Sequence, residues 1–210
     1  MKDIKSNFRN VILCLVVILS VLSVLLAMVY MATLEPIQKI HEETKNAAIQ
    51  NVIPSFDKLE TMRVPIRTEI VQNIFKKEQA KDSLTVYKAT YNGEWVGTAV
   101  ETFTDKGFET RIMLMVGFLP DGTIQKIEVL KQNETPGLGD KIDIKKSNFP
   151  LQFIGKNPKD FKLVVRREGG DVDAITGATI SSRAYCDAVI KAYNVFESVF
   201  INNNGGKSDE

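Results

Sequence analysis

The run from Val11 to Ala32 constrains this chain more than any other segment, because its side chains are apolar in every direction a helix could present them. Only Ser20 and Ser23 interrupt it, and mildly. At ~1.5 Å per residue such a helix is ~33 Å long, enough to cross a hydrocarbon core of about 30 Å. A helix buried in a soluble protein usually keeps a polar stripe. The run is therefore read as a membrane span over 11–32. A cleavable signal peptide competes with this reading, but its apolar region is about 7–15 residues long and ends at a small-x-small site. Here the run is longer, and Met28-Val29-Tyr30-Met31-Ala32 offers Tyr30 where a small residue is needed. The expectation is a retained anchor.

The flanking charges orient it. Lys2, Lys5 and Arg9 precede the span against Asp3, whereas Glu35, Glu42 and Glu43 follow it and offset Lys39 and Lys45. The positive-inside rule places residues 1–10 in the cytoplasm and the rest of the chain outside it, on the periplasmic or external face of a bacterial inner membrane. Cys14 lies in the span and Cys186 far beyond it, so the two are not expected to pair. A net charge of +1 offers no case for nucleic acid as a partner. The single histidine, His41, stands just past the span, which weakens any histidine-assisted hydrolase reading of Ser181 or Ser182.

Beyond the membrane the hydrophobic period changes along the chain. Ile37, Ile40, Ala47, Ala48 and Val52 keep roughly helical spacing until Pro54, so 33–83 is expected to be a largely helical connecting region, with Asp57 to Ala80 ambiguous. Strands are expected over Leu84–Tyr91, Trp95–Glu101, Phe108–Val116, Thr123–Lys131 and Phe161–Val165. Asn92-Gly93 and Asp121-Gly122 supply reversals, being dipeptides that tolerate positive φ. Tyr185, Ala188, Val189, Ala192, Val195, Phe196, Val199 and Phe200 then mark one long amphipathic helix. Strands grouped before a helix predict an α+β unit over 84–200: an antiparallel sheet with a long C-terminal helix. Residues 201–210, polar and glycine-containing, are expected to be a flexible tail.

Just before that helix stands Asp171-Val172-Asp173-Ala174-Ile175-Thr176-Gly177-Ala178-Thr179-Ile180-Ser181-Ser182. Four hydroxyls, on Thr176, Thr179, Ser181 and Ser182, crowd into seven positions around the small pair Gly177-Ala178. At a helix N-terminus such residues commonly act as caps. The same place, with unpaired N–H groups and the positive end of the helix dipole, also suits a phosphate. A second string, Glu134-Thr135-Pro136-Gly137-Leu138-Gly139-Asp140-Lys141, follows the apolar run Ile124–Leu130 and by itself reads as a tight loop. Large aromatics such as Trp95 and Phe108 are candidate stacking partners for a ring, although on strands they are more often core.

Taken together, Asp173-Ala174-Ile175-Thr176-Gly177-Ala178-Thr179 and the Glu134–Gly139 string resemble the covalent FMN-binding subunits of two membrane electron-transfer machines. These are the G subunit of the Rnf complex and the C subunit of the sodium-pumping NADH:quinone reductase. Met115-Val116-Gly117 and Asp121-Gly122 are further matches, and the resemblance spans roughly Ser83 to Phe200. It implies that 84–200 is an FMN-binding domain and that a flavin transferase attaches FMN by a phosphoester to Thr179. It further implies a cofactor environment drawn from Thr135, Gly137, Leu138, Asp173, Thr176, Gly177, Ala178, Ser181 and Ser182. The short chain favours the G subunit of the Rnf complex. Such a complex couples electron transfer between ferredoxin and NAD to Na⁺ or H⁺ movement, with other membrane and peripheral subunits as partners. The chain itself would relay electrons, with no catalytic residues and no metal of its own. The alternatives are the C subunit of the quinone reductase, a stand-alone extracytoplasmic flavinylated carrier, and a non-redox membrane-anchored assembly module.

Overall fold

The computed structural model describes residues 2–66 and 83–201, with side chains from residue 8 onward. The expected tail past Ile201 and residues 67–82 of the connecting region lie outside the described residues. The chain divides into two compact units, 1–45 and 46–210. The first consists of most of helix α1 (Lys2–Val52). It holds one candidate membrane span, whose most apolar stretch has a mean hydropathy of 3.2 and no covering residues. Its serine hydroxyls are satisfied within the helix: Ser20 Oγ donates to Val16 O at 2.8 Å, and Ser23 Oγ to Leu19 O at 2.8 Å. Such back-bonding removes the cost of placing a hydroxyl in hydrocarbon.

The second unit is an antiparallel meander, with strands β1 (Lys58–Pro65), β2 (Ser83–Tyr91), β3 (Glu94–Thr104), β4 (Ile112–Phe118) and β5 (Ile124–Lys131) adjacent in that order. Helix α2 (Thr179–Phe196) follows and ends in a wider turn, Glu197–Ile201. The expected α+β architecture is therefore present. Asn92 and Gly93 both have positive φ (52° and 84°), the conformation a tight two-residue hairpin demands.

Three expectations need correction. The stretch 33–83 is not largely helical throughout: α1 stops at Val52, and β1 pairs along its whole length with β2. β1 is half-buried on both faces, through Met62 and Val64 toward the α2 side and Leu59 toward the other, while Lys58, Glu60 and Arg63 are exposed. That is the pattern of an edge strand, whose charges blunt further pairing. Second, Phe161–Val165 forms no strand; it makes a single parallel bridge, Val165 to Val172. Third, the strand expected over Phe108–Val116 begins only at Ile112, which leaves Phe108 in a loop.

Each face of the sheet is covered. The last turns of α1 place Ala48, Ile49, Val52 and Ile53 against Tyr87, Ala89, Ala99 and Met115. Gly117 permits this approach, since a Cβ there would collide with the Val52 carbonyl. On the opposite face α2 buries Tyr185, Ala188, Val189, Ala192 and Phe196 against Val100, Leu114, Val116 and Phe118. Polar bonds fix where the helix sits along the sheet. Thr102 Oγ1 donates to Ala188 O at 3.0 Å and Thr104 Oγ1 to Asp187 Oδ2 at 2.6 Å. Lys106 and Lys191 pair with the same carboxylate at 2.9 and 3.0 Å. A helix pinned at its middle has a fixed first turn, and that first turn is Thr179–Ser181.

Candidate functional site

The turn into α2 closes on itself. Gly177 takes φ +77°, and the Ala178 N–H donates to Ile175 O at 3.0 Å. Ser182, fully buried, accepts the Ile175 N–H through its Oγ at 3.0 Å and donates to Ala178 O at 3.0 Å. Its hydroxyl is spent inside the turn. The residue in the N-cap position is Ala178, which makes no side-chain cap bond. None of the hydroxyls therefore serves as the ordinary cap, and the N–H groups of Thr179, Ile180 and Ser181 have no partner within the helix.

The second loop is also held from within. Thr135 O accepts the N–H of Leu138 at 3.1 Å and of Asp140 at 3.3 Å, and Gly137 turns at φ +76°. Lys146 Nζ donates to Asp140 Oδ2 at 2.7 Å. That bond, helped by the Gly137 N–H, holds the Asp140 carboxyl below its usual range. Glu134, at the loop's start, is buried and binds outward to two other segments. It accepts the Phe108 N–H at 3.0 Å and the Glu109 N–H at 3.3 Å through Oε1, and the Ser181 hydroxyl through Oε2.

The two loops meet. A Cβ on Gly177 would stand 3.3 Å from Leu138 Cδ2, and one on Gly139 would stand 2.6 Å from Ser181 Oγ. Between them opens a cavity of about 420 Å³, walled by Thr135, Leu138 and Gly139 on one side and by Gly177 through Ser181 on the other. Phe108 and Arg167 complete it. Of the residues singled out from sequence, the structure brings Thr135, Leu138, Gly177, Ala178, Thr179 and Ser181 onto this cavity. Asp173, Thr176, Gly137 and Ser182 are off its walls. Asp173 is exposed and ion-paired with Arg166 at 2.9 Å; Thr176 and Gly137 are exposed.

Phe108, one of the two candidate stacking aromatics, and Gly139 of the Glu134–Gly139 string line the cavity; Arg167 and Ile180 are the lining residues that the sequence did not single out. Phe108 is 61 % exposed, the opposite of the core role usual for a strand aromatic. A usable signal was the polar run Glu109-Thr110-Arg111 after it, which breaks strand alternation. Arg167 carried no such signal. Trp95 does take the core role: it stacks on Phe200 at 5.0 Å and donates its indole N–H to Gly97 O at 3.0 Å.

The cavity's chemistry is two-sided. Unpaired N–H groups, the helix dipole and Arg167 favour an anion. Phe108, Leu138 and Ile180, all exposed, offer an apolar slot to a flat ring. Its volume falls in the range of pockets for cofactor-sized molecules, about 300–1,000 Å³. A phosphate joined to a planar heterocycle fits this donor set.

Comparison with known proteins agrees. Residues 107–194, which run from the Phe108 loop through most of α2, match the FMN-binding domain family. The chain is 34 % identical over 173 residues to the G subunit of the ion-translocating oxidoreductase complex of Shewanella oneidensis, covering 80 % of this chain and 79 % of that protein. The corresponding G subunit of Vibrio cholerae is 38 % identical over 173 residues, with 80 % of each chain covered. A match to the G subunit of Shewanella baltica reaches 42 % identity over 118 residues, which is 55 % of this chain and 56 % of that protein. With both motifs on one cavity and relatives matched across four fifths of their length, this chain belongs to the family of ion-translocating oxidoreductase complex G subunits.

Proposed function

We propose that this chain carries FMN on Thr179 through a phosphoester and relays electrons as a membrane-anchored subunit of a Rnf-type complex. The observation that supports this most directly is the meeting of the two loops around one cavity, with Thr179 on its wall and Leu138 against Gly177. FMN supplies one- and two-electron redox chemistry when bound, while the protein sets its position, potential and access. The N–H groups of Thr179, Ile180 and Ser181 hold the phosphate, with Arg167 adding a charge-assisted donor. Gly177 and Ala178 keep the approach to Thr179 open to a flavin transferase, and the exposed Asp173 and Thr176 face that enzyme rather than the flavin. Leu138, Phe108 and Ile180 flank the ring, and the Thr135 hydroxyl is within the same wall to bond it. No independent catalysis is assigned to the chain. Its partners are the remaining subunits of the complex, which couple electron flow between ferredoxin and NAD to Na⁺ or H⁺ movement.

The attachment is tested by producing the full chain with and without a flavin transferase and locating the adduct by intact-mass and peptide analysis. Thr179→Ala should carry none, and Thr176→Ala should be loaded as wild type. Covalent flavin on the Thr179→Ala chain would sink the assignment. Orientation is a second element of the proposal, resting on the basic residues before the span. A cysteine in place of the exposed Lys159 should react with a membrane-impermeant maleimide added to intact spheroplasts. Cys186 will not interfere, because burial pushes its thiol up to about 12. Labelling that needs permeabilised membranes would reverse the topology.

A further inference from the structure

Among the described residues, Glu134 is a buried carboxylate that touches the cavity's walls from behind without lining it. Three donors converge on it: the Phe108 and Glu109 N–H groups from the loop before β4, and the Ser181 hydroxyl from the first turn of α2. A group that only accepts has the pattern of an ionised carboxylate. The surroundings are shaped to admit it. A Cβ on Gly107 would stand 2.8 Å from Glu134 Oε1, and one on Gly139 would stand 2.9 Å from Glu134 Cβ. Glu134 therefore ties together three segments far apart in sequence, and each contributes a wall: Phe108, Gly139 and Ser181.

Phe108 is the informative partner. Its ring is largely exposed, so packing does not account for its place. It precedes β4 in a loop outside the sheet ladder. Its backbone is anchored instead by the bond to Glu134. A single charged side chain thus sets where an exposed aromatic stands relative to the helix start.

We propose that Glu134 is a positioning residue for the flavin, a clamp that holds Phe108 across the cavity from the α2 N-terminus so that its ring covers the isoalloxazine. The clamp's negative charge, just behind the wall, also makes reduction of the ring harder. This rests on the reading of the cavity as the FMN site. Two substitutions separate geometry from charge. Glu134→Ala removes all three bonds. Glu134→Gln keeps an oxygen for the Phe108 and Glu109 N–H groups and turns its amide toward Ser181 Oγ, preserving the clamp without the charge.

The test uses the full chain in detergent, with and without flavin. Without flavin, exchange of the Phe108 and Glu109 amide hydrogens should rise on the order of tenfold in Glu134→Ala and stay near wild type in Glu134→Gln, as loss of about one hydrogen bond implies. With flavin loaded, iodide quenching of its fluorescence should rise severalfold in Glu134→Ala and in Phe108→Ala. The double variant should show no further rise, because both changes remove one cover. In Glu134→Gln quenching should match wild type while the midpoint potential moves upward. Additive quenching in the double variant, or loaded Glu134→Ala with wild-type quenching and exchange, overturns the clamp. An unshifted potential in Glu134→Gln overturns the charge effect. A wild-type chain that takes up no flavin in the presence of transferase overturns the reading of the site itself, a distinct result that the exchange measurement does not depend on.

Discussion

Helix α2 carries two polar regions that differ in where their bonds go. At its middle, Asp187 and Lys191 are both buried, and the donors of Thr104, Lys106 and Lys191 close on the Asp187 carboxylate. At its start, Thr179 is half-buried, the capping position is occupied by Ala178 without a side-chain bond, and the first-turn residues Thr179, Ile180 and Ser181 line a cavity. The middle is saturated within the protein and the start is not. Buried polar groups must be paired, so a saturated cluster reports on folding. An unsaturated helix start beside a shaped cavity reports on a ligand. Both regions would look alike in composition; partner geometry separates them.

The sharpest way to break this contrast is to compare stability on the two sides. Asp187→Ala leaves the Lys191 ammonium without its carboxylate in the interior and should cost about 3 kcal/mol, the scale for breaking a buried ion pair by removing one partner. Thr179→Ala removes a hydroxyl that anchors nothing in the fold and should change stability by less than about 0.5 kcal/mol, although it abolishes the adduct. Urea denaturation of the flavin-free chain measures both. Equal losses would mean that the helix start is also a structural element, and the distinction between the two regions would fail.

The same distinction explains what was legible from sequence. The α2 helix was, because Tyr185, Ala188, Val189, Ala192 and Phe196 all face one core and repeat with its period. The β2–β3 reversal was, because Asn92-Gly93 is chosen for positive φ. Edge strand β1 was not: Met62 and Val64 are half-buried on one face and Leu59 on the other, with charged residues between them, so no clean alternation appears. Phe161–Val165 misled in the other direction. Leu163 and Val165 are buried, but the chain bends back at once through Gly169-Gly170, where a Cβ on Gly170 would collide with the Val164 carbonyl. Its apolar character serves packing rather than a strand ladder. For the site, the two motifs name their own loops. They contain nothing about the segments standing opposite, so only tertiary structure separates Phe108, which lines the cavity, from Trp95, which packs in the core, and brings in Arg167.

The smallest expected effect lies at the edge of the unsaturated region and depends on pH. Asp140 follows the Gly137–Gly139 loop, and the bond from Lys146, then the Gly137 N–H, lowers its carboxyl below the usual range. The same bond raises Lys146. A depressed carboxyl contributes stability that is complete above its unfolded value of about 3.9 and fades as pH falls through the lower folded value. A raised ammonium contributes stability complete below its unfolded value of about 10.4 and lost as pH climbs through the higher folded one. The pair therefore supports the loop across the neutral range and releases it at both extremes. Lys146→Met removes the ammonium that does most to hold the Asp140 carboxyl low while leaving the Gly137 N–H in place. Thermal midpoints of wild type and Lys146→Met should differ at about pH 6 and converge as the pH falls below about 4. No such change is expected from replacing Arg166, whose pairing with Asp173 is exposed at both ends and screened by solvent. If the gap between wild type and Lys146→Met stays constant down to acid pH, the pair does not hold the loop. The shape of the cavity's second wall would then rest on the Thr135 carbonyl bonds and Glu134 alone.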